Sequence, residues 1–168
     1  MNAQSKKRIL IIEDNMAFLK SFYEMLVDEG YYVAMTGSSD SAKDWATNKD
    51  VKFDMIISDH HMPGESGASF LTFLSELEKV DSQNITKDFM LTQKLRDRFG
   101  DMNDVEFVQL LNQIKVTPHI RVILSGYAAD ASIEEALKKG VIHKFISKKT
   151  PMNEILQILR DLFAQQRN

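Results

Sequence analysis

Acidic side chains follow two short apolar runs of the sequence. The first run, Arg8–Ile12, leads into Glu13 and Asp14, and a second run ends at Ser58, directly before Asp59. If the two runs are neighbouring parallel strands, their carboxyl ends meet at one edge of a sheet and the three carboxylates converge. Grouped carboxylates repel one another unless a cation or raised pKa values neutralise them. Because a ligand set made only of oxygens suits Mg²⁺, the sequence predicts a magnesium site at these three acids.

A hydroxyl group and an ammonium group follow two later apolar runs. Ser125 comes directly after residues 121–124, and Lys148 comes just after residues 141–146. If these runs belong to the same sheet, both side chains lie at the edge that carries the acids. A carboxylate is a weak nucleophile towards phosphorus, so positive charge must gather around the oxygens of the group it attacks. With Lys148 and Mg²⁺ supplying that charge, the pattern predicts a switch that accepts a phosphoryl group on Asp59.

The elements that must position these residues alternate between strand and helix. Apolar runs of strand length are separated by segments of helical period, which indicates βαβ units on a parallel sheet. The sequence therefore predicts an α/β fold with five strands, at residues 8–12, 31–35, 55–58, 121–124 and 141–146.

Local signals predict where several helices begin and end. The first helix should stop at Gly30, and the second should turn Trp45 towards the core together with two alanines. Near the C-terminus, Ser132 with Glu135 three residues later predicts a capping box, and Thr150 predicts an N-cap with Pro151 at the first helical position.

Composition limits the class of protein. The chain has 168 residues, 43% of them hydrophobic, which is enough for one sizeable core. A net charge of −3 with scattered basic residues argues against a nucleic-acid partner. The sequence has no cysteine and no apolar run long enough for a membrane span, and its first five residues lack the apolar core that a signal peptide would need. We expect a cytoplasmic protein with no membrane partner.

The residues after Asp59 add a further pattern, because Met62, Pro63 and Gly67 follow it at a set spacing. Together with the acids, the hydroxyl residue and the lysine, they resemble the receiver domain of bacterial response regulators. Chemotaxis-type single-domain receivers are the nearest architecture. The resemblance implies one receiver domain over residues 1–168, with a doubly wound five-stranded parallel sheet of the flavodoxin-like type in the order 2-1-3-4-5.

The resemblance also implies a ligand set and a phosphoryl donor. Asp59 corresponds to the phosphoacceptor, which a histidine kinase or a phosphotransfer protein phosphorylates in this family. Asp14 and Asp59 would coordinate Mg²⁺ directly, and Glu13 would bind it through water. The backbone carbonyl of His61 corresponds to the remaining protein ligand.

Three further residues correspond to the family's switch. Ser125 and Lys148 would contact the phosphoryl group, and Phe145 would turn from exposed to buried when Ser125 moves. Output would pass through protein contacts with a downstream target, and a homodimer is left open. His61 and Tyr127 occupy the positions that tune phosphoryl lifetime, where bulky groups favour slow hydrolysis. The expected enzymatic content is limited to Mg²⁺-dependent self-phosphorylation and self-dephosphorylation.

The residue after Lys148 departs from the family pattern. Receivers usually have a proline there with a cis peptide bond before it, whereas this chain has Lys149. A cis bond before a residue other than proline costs about 3–4 kcal/mol, so we expect a trans bond. Lys149 is a weaker alternative as the functional lysine, because the residue three positions before it is Ile146 and not an aromatic residue.

The spacing between Asp59 and Ser125 is the second departure, at about twice the usual interval for receivers. Residues 81–117, between the third helix and the fourth strand, contain two helical patterns. One stops at Gly100, and the other starts behind Asn103 with Glu106 three residues on. We interpret this segment as an inserted helical hairpin. It either packs on the receiver or serves as a docking or dimerisation element.

Two alternatives to a phosphoacceptor switch follow from the residues. One is a pseudo-receiver that binds partners through the hairpin without phosphorylation, against which the intact acidic set argues. The other is a phosphohydrolase with an aspartyl-phosphate intermediate, in which a second acid generally follows the nucleophile by two residues. Here that position is His61. We interpret His60 and His61 as solvated loop residues, because adjacent side chains do not readily face one metal ion.

Overall fold

Five parallel strands form the centre of the fold in the computed structural model, which describes residues 6–80 and 89–166. Their order is β2-β1-β3-β4-β5, so the predicted doubly wound sheet is confirmed. The strands are β1 (Arg8–Ile12), β2 (Tyr32–Thr36), β3 (Met55–Ser58), β4 (Ile120–Ser125) and β5 (Lys144–Ser147).

Helices cover both faces of the sheet, because each strand of a parallel sheet is followed by a crossover. They are α1 (Met16–Asp28), α2 (Ser39–Thr47), α3 (Gly67–Glu78), α4 (Phe89–Phe99), α5 (Asp104–Gln113), α6 (Ala131–Lys138) and α7 (Met152–Gln165). None of the helices in the described ranges has the length and apolar character that a membrane span requires.

Alternate strand residues supply two cores, one on each face of the sheet. Leu10 and Ile12 of β1 pack in the core that contains residues of α2, α3 and α6. Ile9 and Ile11 pack in the opposite core with α1 and α7. Burial on both faces explains why β1 is a continuous apolar run without alternation.

Several element boundaries differ from the sequence predictions. β5 begins at Lys144 and not at residue 141, because the backbone N–H groups of Val141 and Ile142 bond to the end of α6. Asp130, not Ser132, caps α6, and Pro151 occupies the N-cap position of α7 with no side-chain cap. Trp45, predicted to face the core, is 39% exposed.

The two helices between α3 and β4 lie where the hairpin was predicted, although residues 81–88 lie outside the described residues. Gly100 has the positive φ of 90° that ends α4, and Asn103 forms the predicted capping box at the start of α5. Leu95 of α4 and Phe107 and Leu111 of α5 are buried in the core that contains α3. This burial favours the interpretation that the hairpin packs on the receiver.

Candidate functional site

Three carboxylates converge at the carboxyl ends of β1 and β3. The strands are neighbours, with Ile12 opposite Ser58, so Glu13, Asp14 and Asp59 leave the sheet side by side. One carboxylate oxygen from each lies within 4.8 Å of the other two. Glu13 and Asp59 are buried, whereas Asp14 is exposed. The acids predicted to group together therefore do so.

Lys148 enters this cluster from the end of β5. Its Nζ lies 2.5 Å from Oε2 of Glu13 and 2.8 Å from Oδ2 of Asp59. The backbone N–H of Lys148 donates to the carbonyl of Ser125 at 2.8 Å, which fixes the start of the loop. The described residues contain no cis peptide bond, so the bond before Lys149 is trans, as expected. The missing proline therefore does not turn Lys148 away from the acids.

Burial and charge act against each other on the ionisable groups of this cluster. Burial raises the pKa of Glu13 above its ordinary value, and the hydrogen bond and charge of Lys148 only partly reverse that rise. Burial lowers the pKa of Lys148, but the hydrogen bonds and charges of Asp59 and Glu13 more than offset it, so the pKa is raised overall. Lys148 is therefore a firmly charged ammonium between two buried carboxylates.

The hydroxyl residue lies at the end of β4, next to the strand that carries Asp59. Ser125 is 1% exposed, and its Oγ accepts a hydrogen bond from the N–H of Tyr127 at 3.2 Å. The exposed rings of Tyr127 and His61 lie 4.7 Å apart between centroids. The two positions predicted to control water access thus contact each other. The predicted role of the His61 carbonyl as a metal ligand stays a prediction.

Gly67 is required by the path of the chain around Asp59. A Cβ at this position would lie 2.1 Å from the carbonyl oxygen of Asp59 and 2.9 Å from Oγ of Ser58. Without a side chain, the first turn of α3 comes close enough for the N–H of Gly67 to bond to the carbonyl of His60 at 3.0 Å. The spacing of Gly67 after Asp59 therefore reflects a steric limit.

Phe145 lies in β5 opposite Ile123 of β4. Its side chain is partly buried against the core that contains α3 and α6. The aromatic ring predicted to switch is therefore neither fully exposed nor fully enclosed in this conformation.

His60 differs from the sequence prediction of a solvated loop residue. It is 4% exposed, and its Nε2 lies 2.9 Å from Oδ2 of Asp130, the residue that caps α6. The partner is 70 positions away, so no local sequence signal identifies the pair.

A second contact that sequence reasoning missed joins α4 to the loop after Asp59. Arg98 forms an ion pair with Glu65, and it also donates to Oγ of Ser69 at 2.7 Å and to the Ser69 carbonyl at 3.2 Å. Burial lowers the pKa of Arg98. Arg98 thus attaches α4 to the segment that follows the candidate phosphoacceptor.

A doubly wound parallel sheet with an acidic cluster at its carboxyl edge defines the class of flavodoxin-like receiver folds. Residues 9–99 match the family model described as the response regulator receiver domain. This match covers more than half of the chain, and the protein belongs to the response regulator receiver family. A comparison with curated proteins found no match.

Solved structures agree with this assignment at the level of the fold. A CheY-like response regulator receiver domain protein from Methanospirillum hungatei is 20% identical, with a TM-score of 0.65 over 97% of this chain and 98% of the other. Chemotaxis protein CheY4 of Vibrio cholerae is 17% identical, with a TM-score of 0.60 over 94% and 98%. A response regulator from Burkholderia pseudomallei is 21% identical, with a TM-score of 0.57 over 96% and 73%.

Proposed function

We propose that Asp59 accepts a phosphoryl group from a histidine kinase or a phosphotransfer protein, and that the chain signals the modified state through protein contacts. The observation that carries the proposal is the ammonium of Lys148 at 2.8 Å from Oδ2 of the buried Asp59 carboxylate. An ion pair at this distance places positive charge where phosphoryl oxygens would gather.

The residues fit a bound Mg²⁺. Magnesium takes oxygen ligands at about 2.1 Å, so opposite ligands lie about 4.2 Å apart. The spacing within 4.8 Å between Glu13, Asp14 and Asp59 is close to that, and a water can bridge the remaining gap to one of them. Bound Mg²⁺ would neutralise developing charge on the phosphoryl oxygens. The Burkholderia response regulator, whose structure holds a phosphorylated aspartic acid and a calcium ion, lends support.

In the proposed reaction, a carboxylate oxygen of Asp59 forms a bond to phosphorus as the bond between phosphorus and the donor breaks. Lys148 then moves from the carboxylates towards the phosphoryl oxygens, and the hydroxyl of Ser125 donates a hydrogen bond to one of them. The Oγ of Ser125 accepts from Tyr127 and so keeps its own proton free to donate. Movement of Ser125 towards the phosphoryl group is then passed to Phe145 and α6.

The cycle ends when the oxygen of a water molecule forms a bond to phosphorus and the bond from phosphorus to Asp59 breaks, which releases inorganic phosphate and restores the carboxylate. We therefore regard the chain as a switch and not as an enzyme that turns over an external substrate. The contact between the rings of His61 and Tyr127 would restrict the path of that water. The acidic cluster with its lysine favours this function over the pseudo-receiver alternative, because such a costly arrangement of buried charges serves no purpose in a passive binding module.

Intact mass spectrometry after incubation with acetyl phosphate tests the proposal. Wild type should gain the mass of one phosphoryl group in MgCl₂ and none in EDTA, and Asp59→Asn should gain none. Asp54→Asn is the matched control, because Asp54 lies at the opposite end of β3, paired with Lys7. Folded wild type without an adduct would refute the proposal and favour the pseudo-receiver. An adduct that persists in Asp59→Asn would refute the assignment of the residue.

A further inference from the structure

The buried side chain of His60 and the capping side chain of Asp130 connect the loop that carries Asp59 to the start of α6. The Nε2 of His60 lies 2.9 Å from Oδ2 of Asp130. The other oxygen, Oδ1, accepts from the backbone N–H groups of Ser132 and Ile133 at 3.0 and 3.1 Å. It also accepts from the hydroxyl of Ser132 at 2.6 Å. One carboxylate therefore caps the helix with one oxygen and binds the histidine with the other.

The bonding pattern fixes which histidine nitrogen carries the hydrogen. The hydrogen bonds from Ser132 and Ile133, and then the contact with His60, hold the pKa of Asp130 well below its ordinary value. The carboxylate is thus ionised and only accepts hydrogen bonds, so Nε2 of His60 must be the donor. The Nδ1 atom is buried and has no hydrogen-bond partner among the described residues. Among the described residues, the contact with Asp130 is therefore the only hydrogen bond of the His60 ring, and one buried ring nitrogen stays unsatisfied.

The contact between His60 and Asp130 joins the loops after β3 and β4, which a phosphoryl group on Asp59 would also join. Ser58 of β3 pairs with Ile123 of β4, so Asp59 and Ser125 leave adjacent strands. The proposed phosphoryl contact joins Asp59, after β3, to Ser125 at the end of β4. The His60–Asp130 contact joins the same two loops, because His60 directly follows Asp59 and Asp130 lies five residues after Ser125. A shift of residues 125–130 towards a phosphoryl group must therefore change the distance between His60 and Asp130.

We propose that the His60–Asp130 hydrogen bond is a latch that holds the N-terminus of α6 in the unphosphorylated conformation. This inference rests on the proposed phosphorylation of Asp59. A contact made in only one of two conformations favours that conformation by its own free energy. The latch thus lowers the affinity of the site for a phosphoryl group by the same factor by which phosphorylation weakens the latch. His60 is a positioning residue and takes no part in the chemistry.

The chain offers variants that separate the latch from the helix cap. Asp130→Ser keeps a good N-cap, since serine and aspartate are about equivalent there, but it has no second oxygen that could accept from His60. His60→Phe keeps a ring and removes the donor, whereas His60→Gln keeps a donor of similar reach. Ser132→Ala removes a partner of Asp130 that is not part of the latch and serves as the matched control.

The test measures the affinity for beryllofluoride, a non-covalent phosphoryl mimic, by isothermal titration calorimetry in MgCl₂, with thermal unfolding as a check of folding. Asp130→Ser and His60→Phe should bind about tenfold more tightly than wild type, which corresponds to about 1.4 kcal/mol. His60→Gln and Ser132→Ala should bind as wild type does. Unchanged or weaker binding by folded Asp130→Ser, with normal wild-type binding, would overturn the latch alone. No binding by any variant, together with no acetyl phosphate adduct, would overturn the proposed function as well.

Discussion

Replacing Lys148 with methionine should destabilise the protein through the charges that remain. The substitution keeps the length of the side chain and removes the ammonium that lies 2.5 Å from Glu13 and 2.8 Å from Asp59. Both carboxylates are less than a tenth exposed, and Asp14 adds a third negative charge within 4.8 Å. Removing one partner of a buried ion pair costs about 3–5 kcal/mol.

Lys148 is 17% exposed and Asp14 opens the cluster to water, so the lower end of that range, about 3 kcal/mol, applies. For a domain of this size each kcal/mol lowers Tm by about 2–4 °C, which gives a fall of about 6–12 °C. Differential scanning fluorimetry in EDTA measures this fall in Tm. Saturating MgCl₂ should restore much of the loss, because the metal replaces the missing positive charge. Lys149→Met, one residue on and exposed, is the control and should leave Tm unchanged.

The loss should also depend on pH in a defined direction. Burial already raises the folded-state pKa of Glu13 above 4.5. Without Lys148 its hydrogen bond and its charge no longer lower that pKa, and only the hydrogen bond from the Asn15 backbone still does. A carboxyl group with a raised folded-state pKa keeps its proton to a higher pH in the folded state than in the unfolded state. The free energy of unfolding therefore falls as the pH rises from 4.5 through the folded-state pKa. The deficit of Lys148→Met should therefore shrink below pH 4.5. Equal Tm values for the two lysine variants, or a deficit unaffected by Mg²⁺ and pH, would refute the reasoning.

Three further outcomes are expected. Gly67→Ala should lower Tm, by about 2–4 °C for each kcal/mol of strain, because the new Cβ would lie 2.1 Å from the carbonyl of Asp59; an unchanged Tm would contradict the steric account. Tyr127→Ala should shorten the lifetime of the phosphorylated protein several-fold in a phosphate-release assay, because the ring that contacts His61 no longer restricts water; an unchanged lifetime would exclude that role. Asp14→Asn should reduce the Mg²⁺-dependent rise in Tm without unfolding the protein, since Asp14 is exposed, and a full Mg²⁺ response would remove it from the ligand set.

The sheet and the acidic edge were predictable because their signals are local. Continuous apolar runs mark strands buried on both faces, and a residue directly after such a run must lie at the edge of the sheet. The chain alone therefore indicated that Glu13, Asp14 and Asp59 converge. Their separation and the double contact of Lys148 depend on packing and follow only from the structure.

The surroundings of the site were less predictable because their partners are distant in sequence. His60 is polar and stands beside another histidine, so its local context indicates a solvated loop. Its burial depends on Asp130, and the attachment of α4 depends on the contact between Arg98 and Glu65. The cap of α6 was misplaced for a different reason. Asp130 and Ser132 both have capping side chains and stand two positions apart, but the helix already begins at Ala131 and Ser132 lies in its first turn.

The two helices between α3 and β4 also affect how the sheet assembles. The central pair β3 and β4 closes a loop from Ser58 to Ile120, yet doubling the length of a loop costs only about 0.6 kcal/mol in chain entropy. Burying Leu95, Phe107 and Leu111 in the core that contains α3 outweighs that cost, at about 1.5–3 kcal/mol for each large apolar side chain. Pairing strands so far apart slows folding more than it weakens the fold. A shortened chain that restores the usual loop length would therefore fold around an α3 whose Phe73 has lost its contact with the ring of Phe99, and it would be prone to aggregate through the exposed apolar surface.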